Sequence, residues 1–294
     1  MSSFIADKSP YLVPFDGSFR IDDAPTKSQD DPGKKECKKK LAEEVERLEE
    51  FQRVLYAHDH YAVLCVFQAM DAAGKDSTIR AVFSGVNPAG FQVHSFKRPS
   101  SNEIDHDFLW RTSKALPQRG RIGVFNRSYY EEVLVVKVHP KILDGQRLPD
   151  DVSFEERFAG RYQSLREHEA HLARNGVVVL KFFLNVSKKE QAQRFLDRLE
   201  EPSKNWKFAA GDMRERQHWD VYMEAYEKAL QETSRAEAPW YCIPADDKPY
   251  MRWQVAKILR QTFEKLDMDY PSTDPVEAAD YDLYRKELKA EIGD

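Results

Sequence analysis

The sequence predicts an α/β fold, a parallel β-sheet flanked by helices, and three observations carry that expectation. Short apolar runs alternate along the chain with segments of helical periodicity, the pattern of a parallel sheet covered on both faces. The runs are nearly continuous in apolar residues, as in strands buried on both sides. A glycine-containing segment, DAAGKD (71–76), joins the first run directly to a helical stretch.

Residues 1–33 are rich in Pro, Asp and Ser without sustained periodicity, so they read as an irregular N-terminal arm. From Lys34 to Ala57, Leu41, Val45, Leu48 and Leu55 fall near helical spacing. Tyr61–Met70 (YAVLCVFQAM) is the first strand, and STIRAVFSGV after the loop is a helix ending near Gly85. Phe91–Phe96 is the second strand, and Asn102–Leu116 is a helix started from Ser100 or Ser101. Arg121–Asn126 (RIGVFN) is the third strand. A helix over Phe154–Arg174 leads to the fourth strand, Val177–Val186 (VVVLKFFLNV). Helices over Lys188–Glu200 and Asp212–Thr233 flank a Pro/Gly-containing loop, then Trp240–Pro244 is the last strand and Tyr250–Leu266 the closing helix. The expected organisation is a single domain over 34–266, with a mobile lid at about 193–216 and an acidic tail over 267–294.

Composition narrows the class. With 294 residues, 41% hydrophobic and 32% charged, the chain suits a globular protein with a substantial core. No apolar stretch is long enough to span a bilayer, and the N-terminal residues lack the basic start and apolar core of a signal peptide. Three widely separated cysteines (Cys37, Cys65, Cys242) predict free thiols, a cytoplasmic location and no structural zinc. The net charge of −5 argues against a nucleic-acid-coating protein. Charge is unevenly spread: His94–Lys141 holds nine Lys/Arg against five acids, and Glu264–Asp294 holds ten acids against four bases. The basic middle reads either as a polyanion-binding surface or as a solvated face.

The loop after the first strand carries the clearest chemistry. Backbone N–H groups at a helix start, with the helix dipole behind them, attract anions. Against the phosphate-loop pattern GxxxxGK[ST], Gly74 and Lys75 match, whereas Ala69 replaces the first Gly and Asp76 the hydroxyl residue, with Ser77 and Thr78 following. Ala72, Ala73, Gly74, Lys75, Asp76 and Ser77 form the candidate phosphate cradle. Asp71 and Asp76 would repel polyphosphate unless a divalent cation intervened, so Asp71 is a candidate Mg²⁺ ligand, with Lys75 neutralising the transferring phosphoryl group. Asp76 reads equally well as an acid favoured by the helix dipole.

The third strand runs into RSYYEE, just beyond a carboxyl end of the sheet, where ligands of open α/β sheets bind. Asn126 and Arg127 could face Lys75 there, Arg127 being suited to bidentate phosphate contact. Either Glu131 or Glu132 could hold metal or orient an acceptor. Lys137 is a further candidate binding residue downstream. Arg194 and Arg198, four apart on one helix, project from one face beside Lys204, Lys207, Arg214 and Arg216. They belong either to a closing lid that excludes water or to a solvated helix. His168, Glu169 and His171 do not match a zinc motif and read as surface residues.

The segments QAMDAAGKDSTIRAVFSGVNPAGFQVHSFKRP, GVFNRSYYEEVLVVKVHP, LKFFLNVSKKEQAQRFLDRLEEPSKNWKF, DMRERQHWDVYMEAYEKAL and APWYCIPADDKPYMRW together resemble the polyphosphate kinase 2 family, in order, over about Lys34–Leu266. That family's loop, DxxGKD, departs from the standard pattern as this one does. The resemblance implies a P-loop kinase fold of the thymidylate-kinase-like type, with a helical lid. It implies Mg²⁺-dependent phosphoryl transfer (Mn²⁺ as an alternative) between inorganic polyphosphate and nucleotides, by a homo-oligomer, commonly a tetramer. By position, Asp71 would serve the metal, Lys75, Asn126 and Arg127 the phosphates, and Arg194 and Arg198 the lid; from the residues themselves, Glu131 is the expected second metal ligand. The motif NRSYYEEVLVV is closer to the subgroup that phosphorylates both AMP and ADP, forming ADP and ATP, than to the ADP-preferring DRSWYNRAGVE type. Guanine nucleotides are alternative acceptors, and neither nucleic acid nor membrane is an expected partner. An ATP-dependent nucleoside monophosphate kinase of similar fold and a non-catalytic P-loop polyphosphate-binding protein are the competing readings.

Overall fold

The computed structural model describes residues 6, 8–149 and 152–293. Residues 1–5 and Asp7 of the arm, and Asp294 of the tail, lie outside the described residues. Five parallel strands, β1 (Ala62–Gln68), β2 (Phe91–Ser95), β3 (Ile122–Asn126), β4 (Val177–Asn185) and β5 (Trp240–Pro244), lie in the order β2-β3-β1-β4-β5. Helices occupy both faces, in chain order α1 (Lys34–His58), α2 (Lys75–Val82), α3 (Ser101–Ile104), α4 (Trp110–Ser113), α5 (Val135–Val138), α6 (Ile142–Gln146), α7 (Phe154–Arg174), α8 (Lys188–Glu200), α9 (Ala210–Arg216), α10 (Trp219–Thr233), α11 (Lys248–Lys265), α12 (Pro275–Ala279) and α13 (Tyr281–Ile292).

The apolar runs became strands because only the interior of a covered sheet can take them. Every residue of β1, β3 and β5 is buried, and β4 is buried beyond its first residue. β2, at one edge, is largely open. The other edge is covered by the N-terminal arm: Val13 N–H donates to the Trp240 carbonyl (2.9 Å), and Cys242 N–H donates to the Tyr11 carbonyl (2.8 Å). Such pairing removes a row of exposed backbone groups at β5, and Tyr11, Val13 and Phe19 join the core.

Two expected helices are each divided. The segment 102–116 forms α3 and α4, with Ser100 capping α3 through a reciprocal bond with Glu103. Between them the Asp107 carboxylate accepts from the Leu109 N–H (2.9 Å), the local side-chain alternative to helix hydrogen bonding. The segment 212–233 divides at Gln217–His218 into α9 and α10. The acidic tail is helical over α12 and α13, where Tyr281, Tyr284, Leu288 and Ile292 fall at helical spacing yet stay exposed.

The surface reading of the 168–171 segment is wrong for Glu169, which is 1% exposed. α7 turns this side chain under the sheet to meet Lys181, the one charged residue of β4. The mistake has a simple origin: Lys181 was buried in the expected strand, and its countercharge lay on the neighbouring helix.

The three cysteines are free and buried. Burial pushes the Cys37 thiol up to about 12, helped by its contact with Asp31, and raises Cys65 and Cys242 well above the ordinary range. Thiolate is the reactive form, so alkylation of the native protein near neutral pH is expected to leave all three unlabelled, with full labelling after denaturation. Mass spectrometry would read this, and rapid native labelling at any of the three would contradict the packing described.

Candidate active site

Strand register brings the two candidate loops together. β1 lies beside β3 with Phe67 opposite Asn126, so residues beyond those partners leave the sheet side by side. Arg127 N–H donates to the Phe67 carbonyl (3.1 Å), joining the loops at their base.

The first loop reverses direction through two residues in left-handed conformation, Ala72 (φ 61°) and Gly74 (φ 112°). Gly74 suits this geometry because it carries no Cβ. Ala72 adopts it at a cost of roughly 1–2 kcal/mol, which the surroundings must offset. Much of that support comes from Arg194. Its Nη1 donates to the carbonyls of Ala73 (2.6 Å) and Ala72 (3.2 Å), and its Nη2 to those of Ala245 (2.6 Å) and Asp246 (3.0 Å). Nε reaches Glu190 at 2.8 Å. Gln191 adds a bond to the Asp71 carbonyl (2.9 Å) and accepts from Arg216 (2.5 Å). Arg194 is therefore buried beneath the loop with its donors committed to protein acceptors, rather than facing the cleft.

Lys75 opens α2 and is buried. Its Nζ donates to the carbonyls of Ala69 (2.7 Å) and Met70 (3.4 Å). Among the described residues it has no carboxylate at ion-pair distance. Burial pulls its ammonium below the ordinary value against the attraction of Asp71, and nearby Arg127 lowers it further. Asp76, one residue on, is tied by Asn126 Nδ2 (2.6 Å), which crosslinks the two loops. Ser77 Oγ donates to the Gly74 carbonyl (2.9 Å).

Arg127 is also left-handed (φ 64°). Its Nη2 meets Asp71 at 2.8 Å, and its Nη1 lies 3.7 Å from Glu131. Burial disfavours its charge, but the Glu131 and Asp71 carboxylates more than offset this and hold the guanidinium above its ordinary value. Glu131 is itself pushed up by burial, against the pull of Arg127 and Lys75. The side chains of Glu131 and Glu132 go different ways. Glu131 lines the cleft with Asp71 and Arg127, whereas Glu132 is buried against Arg161 of α7 (3.1 Å) and accepts from Gln146 (2.7 Å).

The cleft wall includes Glu215, Tyr222 and Tyr226, from α9 and α10, which the sequence reading did not single out. Glu215 accepts from Tyr222 (2.7 Å) and meets His139 (2.9 Å). Asp212 is pushed up by burial and by the Asp71 charge, while Arg198 pairs with it at 3.4 Å. Lys137 does not line this cleft. Its charged neighbours are Lys228 and Glu224 on α10, and burial lowers its ammonium.

Asp71 and Glu131 present hard oxygen donors to one cleft, which fits Mg²⁺ bound through one or two carboxylates plus phosphate oxygens. Among the described residues there is no group of three or more His, Cys, Asp or Glu able to hold a metal unaided. The family model for Polyphosphate kinase 2 matches residues 31–271.

The chain belongs to the polyphosphate kinase 2 family. It is 55% identical to an ADP-polyphosphate phosphotransferase of Rhodopseudomonas palustris over 84% of this chain and 86% of that one. It is 46% identical to an AMP/ADP-polyphosphate phosphotransferase of Meiothermus ruber over 89% of this chain and 94% of that one. Among solved structures it is similar to polyphosphate kinase 2 from Arthrobacter aurescens, with TM-score 0.84, 36% identity, and 92% and 93% of the two chains covered. The likeness bears out the P-loop kinase architecture expected for a polyphosphate kinase 2.

Replacing Arg194 by Met strands four backbone carbonyls at the loop and beyond β5. Destabilisation of about 2–4 kcal/mol is expected, measured by denaturant unfolding. Arg194→Lys should recover less than half of it, because one ammonium cannot reproduce the planar fork. Full recovery with Lys would contradict the clamp.

Proposed function

We propose that this protein transfers phosphoryl groups between inorganic polyphosphate and adenine nucleotides, accepting both AMP and ADP to form ADP and ATP. The observation that carries the reading is the buried Lys75 ammonium beside Arg127, at a helix start, without a carboxylate partner among the described residues. A cation so placed is costly unless an anion of high charge occupies the cleft.

The chain's own residues divide the work. Backbone N–H groups of residues 74–77 cradle the donor phosphates, the Ala73 N–H being taken by the Met70 carbonyl, and Lys75 faces the charge that develops on the transferring group. Asn126 holds Asp76 against the opposite loop, and Arg127 presents a planar fork to phosphate oxygens once released from Asp71. When bound, Mg²⁺ (Mn²⁺ as the alternative), held by Asp71 and Glu131, supplies neutralisation of phosphate charge. Arg194 acts as a positioning residue through the loop backbone. Of the expected lid over 193–216, Arg194 is fixed beneath the loop, and the part from Arg198 onward serves as the lid: Arg198 on α8 and Asp212 on α9 bridge its two arms, and closure would exclude water as a competing acceptor. Residues 34–266 act as one catalytic unit, a reading supported by the extent of the family match. A homo-oligomer is part of this proposal, supported by the exposed apolar stripe of α13. A cytoplasmic location is supported by three free cysteines.

A donor and acceptor matrix tests the reading: polyphosphate or ATP against AMP, ADP, GMP and GDP, with Mg²⁺. Polyphosphate with AMP and no initial ATP is expected to yield ADP and then ATP. Products from ATP donors alone would favour the nucleoside monophosphate kinase instead, and binding without any turnover would favour a non-catalytic polyphosphate-binding protein.

A further inference from the structure

The turn that presents Arg127 and Glu131 to the cleft leads on its other side into a buried polar network. Lys181 Nζ has three donors and three acceptors: Glu169 Oε2 (2.5 Å), the Thr233 carbonyl (2.8 Å) and Tyr130 Oη (3.0 Å). The second oxygen of Glu169 accepts from Tyr129 Oη (3.0 Å) and lies 2.8 Å from Tyr130 Oη. Lys181 and Glu169 are 0% and 1% exposed, and both tyrosines are equally enclosed. No member is itself among the residues that line the cleft.

A buried ion pair gives little stability compared with apolar residues of the same volume, so its presence calls for another explanation. Arg127 holds a left-handed backbone conformation, and such conformations persist only where the surroundings over-determine them. Two consecutive tyrosines, starting two residues after Arg127 and directly preceding Glu131, are both fastened to one carboxylate. That carboxylate is in turn fixed by a lysine whose donors are all satisfied. From below, the turn has little freedom to relax.

We infer that Glu169 and Lys181 are positioning residues for phosphoryl transfer, holding the Arg127–Glu131 turn in register through Tyr129 and Tyr130. The inference rests on the proposed function, because it assigns that turn to the reacting phosphates. Misplacing a catalytic group by about 1 Å can cost up to a hundredfold in rate, so the network acts on turnover rather than on substrate affinity.

The test compares Tyr130→Phe with Tyr162→Phe, a buried tyrosine on α7 whose hydroxyl has no hydrogen-bond partner among the described residues. Tyr130→Phe is expected to lower kcat by about tenfold or more with KM little changed, and to speed amide exchange over residues 127–132. Tyr162→Phe is expected to match the wild type in both. The double variant Glu169→Leu/Lys181→Met removes the charges while filling the space. It also strips the Tyr129 hydroxyl and the Thr233 carbonyl of the partners named above, so it should melt below the wild type while still folding, and show the same loss of kcat. Wild-type kcat in folded Tyr130→Phe, or in the folded double variant, would overturn the inference. Should the double variant fail to fold, Tyr130→Phe decides alone. If the wild type shows no polyphosphate-dependent turnover, the functional reading fails, and amide exchange at 127–132 still decides whether the network holds the turn.

Discussion

The burial of the Lys75 ammonium is the constraint around which the rest of the molecule is arranged. A buried charge needs hydrogen-bond acceptors and a countercharge. Here the acceptors are two carbonyls of its own loop, and no carboxylate stands at ion-pair distance among the described residues. The loop must therefore curl tightly enough to offer those carbonyls. It does so through left-handed residues at Ala72 and Gly74, and Arg194 holds the other loop carbonyls from beneath. Folding thus leaves a buried ammonium close to a cleft lined by Arg127 and by the carboxylates of Asp71, Glu131 and Glu215.

The sheet converts that local arrangement into a two-sided site. Because β1 lies between β3 and β4, the loop after β3 is the immediate neighbour of the phosphate loop. Asn126 and Arg127 cross the gap to Asp76 and Asp71. Behind them, α7 fastens the same turn twice, through Arg161 to Glu132 and through Glu169 to Tyr129 and Tyr130. Placing α7 against β4 therefore shapes the cleft without lining it.

The strands and most helices were legible in the sequence because a doubly covered sheet demands apolar runs that nothing else explains. The helix expected over Phe154–Arg174, for example, is observed with those bounds as α7. Direction of side chains was less legible. Glu131 and Glu132 are adjacent and chemically alike, and only the 3₁₀ turn that carries them sends one to the cleft and the other to Arg161. Glu169 looked like a surface helix residue because its partner, Lys181, sits twelve residues away on a different element. Arg194 and Arg198 share a helix face, yet one is buried under the loop and the other meets Asp212. The wall formed by Glu215, Tyr222 and Tyr226 was invisible, since the break between α9 and α10 that shapes it carries no strong sequence signal.

If the Lys75 charge, buried without a carboxylate at ion-pair distance, is what readies the cleft for a polyanion, it should weaken the empty protein and strengthen the loaded one. Thermal unfolding of the wild type and Lys75→Met, with and without inorganic polyphosphate, measures both effects together. The account predicts that the variant melts higher than the wild type without polyphosphate, because the desolvated ammonium is gone. Polyphosphate should raise the wild-type midpoint and leave the variant nearly unmoved. A variant that melts lower than the wild type, yet still gains the full stabilisation by polyphosphate, would contradict it.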